Sequence, residues 1–432
     1  MGRVEQIGLV TIYEGDCLDV LPEISGVSGV LTDPPYGLTF MGKAWDRGVP
    51  GVPFWEAIGA ACLPGAHLLA FGGTRTYHRQ TCAIEDAGWL VRDCLMWVYG
   101  NGFPKGLDIS KAIDKAAGAE REVVGSKCGL PGYREGKTGD RGVDYGVGLS
   151  NGSDKCKITA PSTPNAHTWQ GYGTALKPAL EPIVLAQLPR EGTFVDNVLS
   201  HGCGALNIDG CRIEAGTEHH RPTQPTNNDR SVYGAQSEFQ PTNSEGGRWP
   251  SNLLIDDSED VVGLFPESAS NPRAAGSRTS IGYKGGKGDG GPALSGSEGS
   301  AARFYYCAKA SRSEREAGCW DVPPMKRGDI HNSHPTVKPI ALMRYLLRLI
   351  TQPERNLILD PFAGSGTTGI ACALAGVPCV LIEQDPHHFE IIKARVQWAH
   401  NIRIRLGREP DLDLTPYQSK PEKVDDTQGD LF

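Results

Sequence analysis

The sequence has 432 residues and lacks several features that would assign it to a class. It has no apolar run of about 18 residues, which excludes a membrane-spanning helix, and its first residues lack the apolar core of a secretory signal. Its twelve cysteines include no Cys-x-x-Cys pair. Scattered cysteines in a long chain without a signal are typical of reduced thiols, so we expect a soluble protein of the cytoplasm.

Positive charge is also scarce, because 51 acidic residues outnumber 43 basic ones and the net charge is −8. The tail after Arg408 has seven acidic and two basic residues and carries −5 of this charge. An acidic total argues mildly against a general polyanion binder. Because so much of it lies in the tail, it says little about a local surface that faces DNA.

Glycine (55) and proline (31) make up about a fifth of the chain, and their uneven distribution indicates its organisation. Short apolar runs alternate with helical stretches over residues 8–107 and again after 330, whereas glycine-rich loops with short ordered islands fill most of the interval. Strands that alternate with helices predict a parallel sheet and an α/β fold. The predicted strands are 27–31, 67–71, 90–98, 356–359 and 377–382, and the predicted helices are 77–87, 339–350, 367–375 and 386–404.

A glycine-rich loop lies between the predicted strand 356–359 and the predicted helix 367–375. It begins at Asp360 and reads Asp-Pro-Phe-Ala-Gly-Ser-Gly-Thr-Thr-Gly. Its glycines let the backbone approach a ligand, and the helix N-terminus offers free N–H groups. Glu383, at the end of the next strand, is placed to accept hydrogen bonds from ribose hydroxyls. The segment predicts a nucleotide-type βαβ unit and leaves NAD, FAD and S-adenosylmethionine open, besides a glycine turn without a ligand.

A second rigid segment, Asp33-Pro34-Pro35-Tyr36, follows the predicted strand 27–31. Its two prolines stiffen a loop at the carboxyl end of a strand, where α/β sites lie. A carboxylate, a backbone carbonyl and an aromatic face suit a planar base with an exocyclic amine. Asp33 and the carbonyl of Pro34 can accept its two N–H bonds, and Tyr36 can stack on its ring. On its own the segment is equally compatible with a proline turn and a packed tyrosine.

Together the two segments resemble the S-adenosylmethionine-dependent DNA amino-methyltransferases, which methylate N6 of adenine or N4 of cytosine. The Asp-Pro-Pro-Tyr segment comes first and the glycine loop late, an order that resembles the beta class of this family. The resemblance implies an α/β fold with a circularly permuted, Rossmann-like methyltransferase sheet. The segments Gly15-Asp16-Cys17 and His334-Pro335-Thr336-Val337-Lys338-Pro339 also resemble the family. Within the middle region, 173–178 and 303–311 are similar to phage and bacterial members.

The resemblance implies a role for each matching residue. Asp33, Pro34, Pro35 and Tyr36 would hold a target base that has flipped out of the duplex. The residues implied to contact S-adenosylmethionine are Asp16, Lys338, Asp360, Phe362, Gly364, Gly366 and Glu383. The implied activity is N6-adenine methylation at specific sites of double-stranded DNA, with N4-cytosine as the alternative. The oligomeric state, monomer or homodimer, and a restriction enzyme partner stay open.

The resemblance also implies four parts. Residues 8–110 are expected to form the catalytic half of the methyltransferase domain, and 331–408 the cofactor-binding half. Residues 111–330 are expected to be a loop-rich insertion that recognises the target, and 409–432 an acidic disordered tail. A cell that hosts such a protein would be bacterial or phage-infected.

Two rival classes are a DNA-binding protein that has lost catalysis and a dinucleotide oxidoreductase based on the spacing of Gly364, Gly366 and Gly369. The intact motif residues argue against the first, and the second leaves Asp-Pro-Pro-Tyr unexplained. DNA contact needs local positive charge. The basic stretches 393–408 and 303–315 are candidates for it, the alternatives being a solvated helix face and a core strand. No metal is predicted, because the spacing of His201, Cys203, Cys211, His219 and His220 fits no common zinc pattern.

Overall fold

The computed structural model describes residues 2–38, 46, 48–100, 106–126, 157–213, 247–256, 259–269, 298–308, 312–323, 331–334, 336–411, 414 and 417. The strands are β1 Val4–Ile7, β2 Val10–Glu14, β3 Val27–Thr32, β4 Cys62–Phe71, β5 Leu90–Val98, β6 Val123–Ser126, β7 Lys157–Thr159, β8 Leu180–Gln187, β9 Leu253–Asp256, β10 Glu267–Ala269, β11 Glu298–Ser300, β12 Tyr306–Ala308, β13 Ile358–Asp360 and β14 Cys379–Glu383. The α-helices are α1 Cys17–Val20, α2 Val52–Ala61, α3 Tyr77–Asp86, α4 Ile109–Ala116, α5 Pro164–Thr168, α6 Phe194–His201, α7 Glu259–Val262, α8 Arg312–Glu316, α9 Ile340–Ile350, α10 Thr367–Ala375 and α11 Pro386–Leu406.

One of the two compact units comprises Met1–Gly100 with Leu180–Phe432. Its main sheet has the strand order β1-β2-β14-β13-β3-β4-β8-β5-β9-β12. The run from β2 to β4 is parallel, and β8 lies antiparallel between β4 and β5. Strands from late in the chain, β13 and β14, thus lie beside β3 from its beginning. This arrangement confirms the predicted α/β class with a permuted sheet.

Apolar side chains cover both faces of this sheet. Successive side chains of a strand point to opposite faces, and accordingly Leu31 and Leu69 belong to one buried cluster, whereas Val30 and Leu68 belong to the other. The helices α9 and α10 supply much of the first cluster. The sheet edge at which the parallel strands end is therefore carried by a packed, two-sided core. Among the described helices, none is long and apolar enough to cross a membrane.

Several predicted elements agree with the structure in their bounds. The helix Thr367–Ala375 and the strand Leu90–Val98 have the predicted bounds. The predicted strand 67–71 is longer, because β4 begins at Cys62 and passes through Pro64-Gly65. The pairing with β3 is irregular there, between Val27 and Gly29, so a sequence that signals a turn is accommodated at a bulge.

The middle region 111–330 contributes to two different bodies. Its strands β8, β9 and β12 enter the main sheet. The second compact unit, Asn101–Ala179, contains α4, α5 and the antiparallel pair β6–β7. Its centre is Asp114, which is fully buried and accepts hydrogen bonds from Arg121 Nη1 (2.6 Å) and Thr163 Oγ1 (2.7 Å). Target recognition by 111–330 stays a prediction.

The predicted acidic tail differs from the structure at its start. Glu409 accepts a 2.6 Å hydrogen bond from Arg344, and Leu414 is buried in the core. The first residues of the tail therefore pack on the body, because an arginine and an apolar pocket are available to them. The remainder of this prediction, from residue 418 on, lies outside the described residues.

Candidate active site

The two predicted loops follow neighbouring strands. The parallel strands β3 and β13 pair through Gly29 with Ile358 and Val30 with Leu359. Since parallel strands end at the same edge of a sheet, the loop after β3 and the loop after β13 begin side by side. Thr32, the residue before Asp33, donates a 2.7 Å hydrogen bond to Asp360. The structure therefore brings the two loops together.

Asp360 links the strands to the glycine loop. Its Oδ1 also accepts from the backbone N–H of Phe362 (3.2 Å), and its Oδ2 accepts from Thr368 Oγ1 (2.6 Å). The side chain is 2% exposed. Burial raises the pKa of Asp360 to about 6, although the hydrogen bonds from Thr32 and Thr368 oppose this change. The contacts shown are internal, so Asp360 shapes the loop, and its predicted contact with a cofactor stays a prediction.

The glycine loop has a backbone conformation that few other residues adopt. Gly364 and Gly366 have φ angles of 55° and 75°, in the left-handed region. A Cβ atom on Gly364 would lie 2.8 Å from His334 Nε2. The N–H of Gly364 donates to Glu383 Oε2 (2.8 Å). Both glycines are thus required by shape, and the loop is tied to the acid at the end of β14.

A buried arginine supports this loop from α11. Arg395 is fully buried and donates to the carbonyl of Ser365 (2.6 Å), and burial lowers its pKa to about 10. Lys393 in the same stretch pairs with Glu5 (2.8 Å). The stretch 393–408 was a candidate for phosphate contact, and for Arg395 that interpretation is wrong, because its guanidinium faces the core. Arg395 is a site-supporting residue that the sequence reasoning missed.

Three further predicted residues surround the glycine loop. Glu383 Oε1 accepts from the N–H of Asp385 (2.8 Å), and the N–H of Gly15 donates to the carbonyl of Glu383 (3.0 Å). The second contact places the adjacent Asp16, the N-cap of α1, next to the end of β14. The ring centroid of Phe362 lies 6.0 Å from that of Phe54. Two carboxylates and an aromatic ring therefore stand near the loop.

Asp33 is the centre of a charged cluster. Its Oδ1 accepts from the Tyr36 hydroxyl (2.8 Å), and its Oδ2 accepts from Lys338 Nζ (2.6 Å). Lys338 is 7% exposed and also lies 3.2 Å from Glu181 Oε2. Burial acts to lower the pKa of Lys338, but the charges of Asp33 and Glu181 outweigh it and raise that pKa. Lys338 therefore stays a cation between two carboxylates.

The rest of the Asp33 loop is held by hydrogen bonds to its backbone. Thr76 Oγ1 donates to the carbonyl of Tyr36 (2.6 Å), and the N–H of Gly37 donates to Asp46 Oδ1 (2.7 Å). Pro34 and Pro35 restrict the φ angles in between. Burial, followed by the charges of Asp33 and Glu181, raises the pKa of Tyr36 well above its usual value, so its hydroxyl stays protonated and donates.

The structure changes the picture of Lys338 and adds Glu181. Lys338 was implied to contact S-adenosylmethionine, and the contacts shown for its ammonium are with Asp33, Glu181 and Tyr36. Glu181 was not predicted. The signal that could have found it is a glutamate near the start of the apolar run Leu180–Gln187, because an acidic side chain in a buried strand needs a partner.

His334 lies between the two loops. Its Nδ1 is 2.6 Å from the carbonyl of Thr336, and its ring centroid is 4.8 Å from that of His388. Burial, together with His388, lowers the pKa of His334 to about 4, against the charges of Glu383 and Asp33. The imidazole is therefore neutral near pH 7, and it fills the space that Gly364 leaves.

Two of the cysteines considered for zinc have internal positions. Cys203 and Cys211 are buried, and Cys203 Sγ donates to the carbonyl of Pro64 (3.3 Å). Within the part of the chain that the structure describes, no three His, Cys, Asp or Glu side chains are grouped to hold a metal ion. His219 and His220 lie outside the described residues.

Comparison with known proteins matches residues 247–394 to the family model for DNA methylase. Type II methyltransferase M2.MboI of Moraxella bovis is 36% identical over 88 residues, which are 20% of this chain and 32% of that protein. DNA adenine methyltransferase YhdJ of Escherichia coli K12 is 34% identical over 114 residues, 26% of this chain and 38% of that protein. Each alignment thus covers about a third of the length of the curated relative.

Solved structures match over more of the chain but less closely. The complex of M1.HpyAVI with SAM has 14% identity and a TM-score of 0.36, covering 90% of this chain and all of that one. PvuII DNA methyltransferase, which is cytosine-N4-specific, has 13% identity and a TM-score of 0.39, covering 92% of this chain and 93% of that one.

The sequence matches cover only parts of the chain, and the pairing of strands connects the matched region to the segment that contains Asp33. The family model begins in the middle region and ends within α11, so it includes the glycine loop and Glu383 but not Asp33. Asp33 joins them through the pairing of β3 with β13. The comparisons confirm that this chain resembles the S-adenosylmethionine-dependent DNA amino-methyltransferases.

Proposed function

We propose that the chain methylates N6 of an adenine flipped out of double-stranded DNA, with S-adenosylmethionine as the methyl donor. The single observation that carries this proposal is the contact of the Asp33 loop with the glycine loop across β3 and β13. One loop offers acceptors for an exocyclic amine and the other a nucleotide-type turn. A transfer between a base and a cofactor needs both within one site.

The residues present fit S-adenosylmethionine, whose ribose has two hydroxyls and whose sulfur is positively charged. Glu383 and Asp16 are carboxylates that can accept from hydroxyls, and the left-handed Gly364 and Gly366 set the shape of the loop that donates an N–H to Glu383. These residues would hold the cofactor, which supplies a methyl group on an activated, positively charged sulfur.

The chain itself would orient and deprotonate the amine. The Asp33 carboxylate and the carbonyl of Pro34 would each accept one N–H bond, which turns the nitrogen lone pair towards the donor. Tyr36 would stack on the base and return about 1–3 kcal/mol of the cost of unstacking. Alignment of this kind can contribute about 7–11 kcal/mol to the lowering of a barrier.

Adenine is preferred over cytosine because an aspartate stands first in the Asp-Pro-Pro-Tyr segment, a feature that favours adenine in the family resembled. The relative from Escherichia coli, by its name, also acts on adenine. The names of other relatives, type II methyltransferases, support a place in restriction-modification. An N4-cytosine activity would use the same two acceptors and is one outcome of the test below.

We place part of the DNA contact in the unit Asn101–Ala179. This unit contains eleven Lys and Arg residues and eight Asp and Glu residues, so its net charge is positive, whereas the net charge of the whole chain is negative. Trp169 and Tyr172 are 47% and 59% exposed, and their rings meet edge to face at 5.1 Å. Exposed aromatic faces in a unit of net positive charge suit bases and phosphates. Trp169→Ala should weaken DNA binding several-fold.

The test is expression in a host without DNA methylation, followed by single-molecule sequencing of its DNA. N6-methyladenine at one short motif is the expected result, and N4-methylcytosine would change the base but keep the reaction class. Purified protein and tritiated S-adenosylmethionine then give the rate. DNA that stays unmodified in both assays, or a cofactor site for which NAD rather than S-adenosylmethionine competes, would contradict the proposal.

A further inference from the structure

The strand β8 brings a second carboxylate to the site. Because β8 runs antiparallel to β4, it begins at the edge where β3 and β4 end. Glu181 is its second residue and accepts a 3.0 Å hydrogen bond from the Tyr36 hydroxyl. Its Oε2 is also 3.2 Å from Lys338 Nζ. Glu181 therefore touches the same two partners as Asp33.

The cluster has two anions and one cation in a little-exposed place. The side chains of Asp33 and Glu181 are 20% exposed and that of Lys338 is 7% exposed. Lys338 Nζ also donates to the Tyr36 oxygen (3.1 Å). A single ion pair of Lys338 with Asp33 would be neutral, whereas Glu181 gives the group one net negative charge. The Lys338 ammonium thus interacts with both carboxylates and not with Asp33 alone.

We infer that Glu181 is a positioning residue for the proposed methyl transfer, which shares Lys338 with Asp33 and fixes the Tyr36 hydroxyl. The inference rests on the proposed function. Without Glu181, the full charge of Lys338 would act on Asp33, and a carboxylate paired in this way is a weaker proton acceptor. The hydroxyl of Tyr36 would also lose one of its two carboxylate partners.

The step that Glu181 assists is a proton transfer. The amine nitrogen would form its bond to the methyl carbon as the bond from that carbon to sulfur breaks, with the electron pair of the broken bond passing to sulfur. The nitrogen would then carry a positive charge and one surplus proton. One N–H bond breaks with its electron pair remaining on nitrogen, and the proton forms an O–H bond on the Asp33 carboxylate, from which it exchanges with water. The atom and charge balance closes without another reactant.

Several other titratable groups lie around the cluster of Asp33, Glu181 and Lys338. Tyr99 hydrogen-bonds Glu181, and burial, followed by the charge of Glu181, raises the pKa of Tyr99. The buried Asp360 and His334 also interact with Asp33 through their charges. Among the residues that the structure describes, the titratable groups that face Asp33 are Tyr36, Glu181, Lys338, His334 and Asp360, with Tyr99 beside Glu181. Among these groups, Glu181 and Lys338 form an ion pair that substitution of Glu181 alone removes.

The experiment compares the wild type with Glu181→Gln, Glu181→Asp and the exposed-site control Glu354→Gln. Single-turnover methyl transfer is measured from pH 5 to pH 9 on DNA that contains the motif found by sequencing. We expect Glu181→Gln to lower the rate about tenfold at pH 7.5 and to move the acid limb of the profile about one pH unit lower, because removal of a like charge lowers the pKa of its neighbour. The KM for S-adenosylmethionine should change less than twofold.

The other variants separate charge from shape. Glu181→Asp keeps the charge and should keep the acid limb of the wild type despite a lower rate, and Glu354→Gln should match the wild type in both. A readout without turnover is the fluorescence of 2-aminopurine at the target position. Its increase on protein binding should fall to less than half in Glu181→Gln, because Tyr36 is less well held.

Different results would contradict the proposed methyl transfer and the positioning role of Glu181. A wild-type protein without methyl transfer would overturn the proposed function and this inference together. An active wild type, with Glu181→Gln equal to it in rate, acid limb and 2-aminopurine signal, would overturn the inference alone. If Glu181→Gln does not fold, as judged by circular dichroism, Glu181→Asp with a shifted acid limb would contradict the role of the charge.

Discussion

The two loops at the sheet edge are held by different means. The Asp33 loop is held by side chains, since Lys338 and Glu181 from distant segments converge on Asp33 and Tyr36. The glycine loop is held mainly through its backbone, since Gly364 donates its N–H to a carboxylate and Ser365 receives a guanidinium on its carbonyl. One loop depends on charge and the other on conformation, and substitutions should affect them differently.

Asp33→Ala should have the largest effect, because it removes the acceptor at the centre of the charged cluster. General-base assistance alone is worth about 10²–10⁴-fold in rate, so we expect turnover to fall by at least two orders of magnitude. Binding of S-adenosylmethionine, measured by calorimetry, should stay near the wild-type value because the glycine loop is intact. More than a tenth of the wild-type turnover would contradict this separation.

Asp360→Asn tests the residue that joins the two loops. Since the pKa of Asp360 is raised to about 6 from 3.8, the unfolded chain loses this proton at a lower pH than the folded one. Burial of the ionised group therefore costs stability as the pH rises from about 4 through 6. The wild type should lose up to about 3 kcal/mol relative to Asp360→Asn between pH 4 and pH 7.

Urea unfolding at several pH values measures this difference. The other carboxylates titrate alike in both proteins, so subtraction of the two stability curves isolates Asp360. A difference that does not change between pH 4 and pH 7 would show that Asp360 ionises in the folded protein as it does in a peptide.

Gly366→Ala tests the dependence on conformation, with Gly26→Ala as the matched control. Both glycines have nearly the same φ, 75° and 74°, but a Cβ on Gly366 would lie 3.0 Å from Ile392, whereas Gly26 has open space. A left-handed alanine costs about 1–2 kcal/mol at either site. In addition, Gly366→Ala alone should weaken S-adenosylmethionine binding, by about tenfold, as calorimetry would show. Equal affinities of the two variants for S-adenosylmethionine would show that the glycine loop is not part of the cofactor site.

Tyr36→Phe should have the smallest effect of the four. It keeps the ring that would stack on the base and removes a hydroxyl that donates to Asp33 and Glu181. A hydrogen bond to a charged group contributes about 1.5–3 kcal/mol, and Asp33 keeps Lys338 as a donor. We therefore expect a loss at the lower end of this range, about tenfold in turnover, with little change in DNA affinity. A larger loss in DNA affinity than in turnover would assign the hydroxyl to binding.

Local motifs could be predicted from the sequence, and distant partners could not. The helix Thr367–Ala375 and the two loops follow from strand ends, glycines and prolines within short windows. Glu181 and Arg395 reach the site only because β8 is inserted antiparallel and α11 packs on the glycine loop. No spacing rule relates positions more than a hundred residues apart. A basic stretch predicts exposure by composition, yet Arg395 is buried because the carbonyl of Ser365 needs a donor.

The order of the strands has a consequence for biogenesis. In the sheet, β14 and β13 lie between β2 and β3. These two outer neighbours leave the ribosome more than three hundred residues before β13 and β14. At about 5–20 residues per second, that interval lasts tens of seconds. During synthesis the central hydrogen-bonding edges of the nascent sheet would thus stay unpaired until β13 and β14 emerge. It also means that the proposed site cannot form before β13 and β14 have been synthesised.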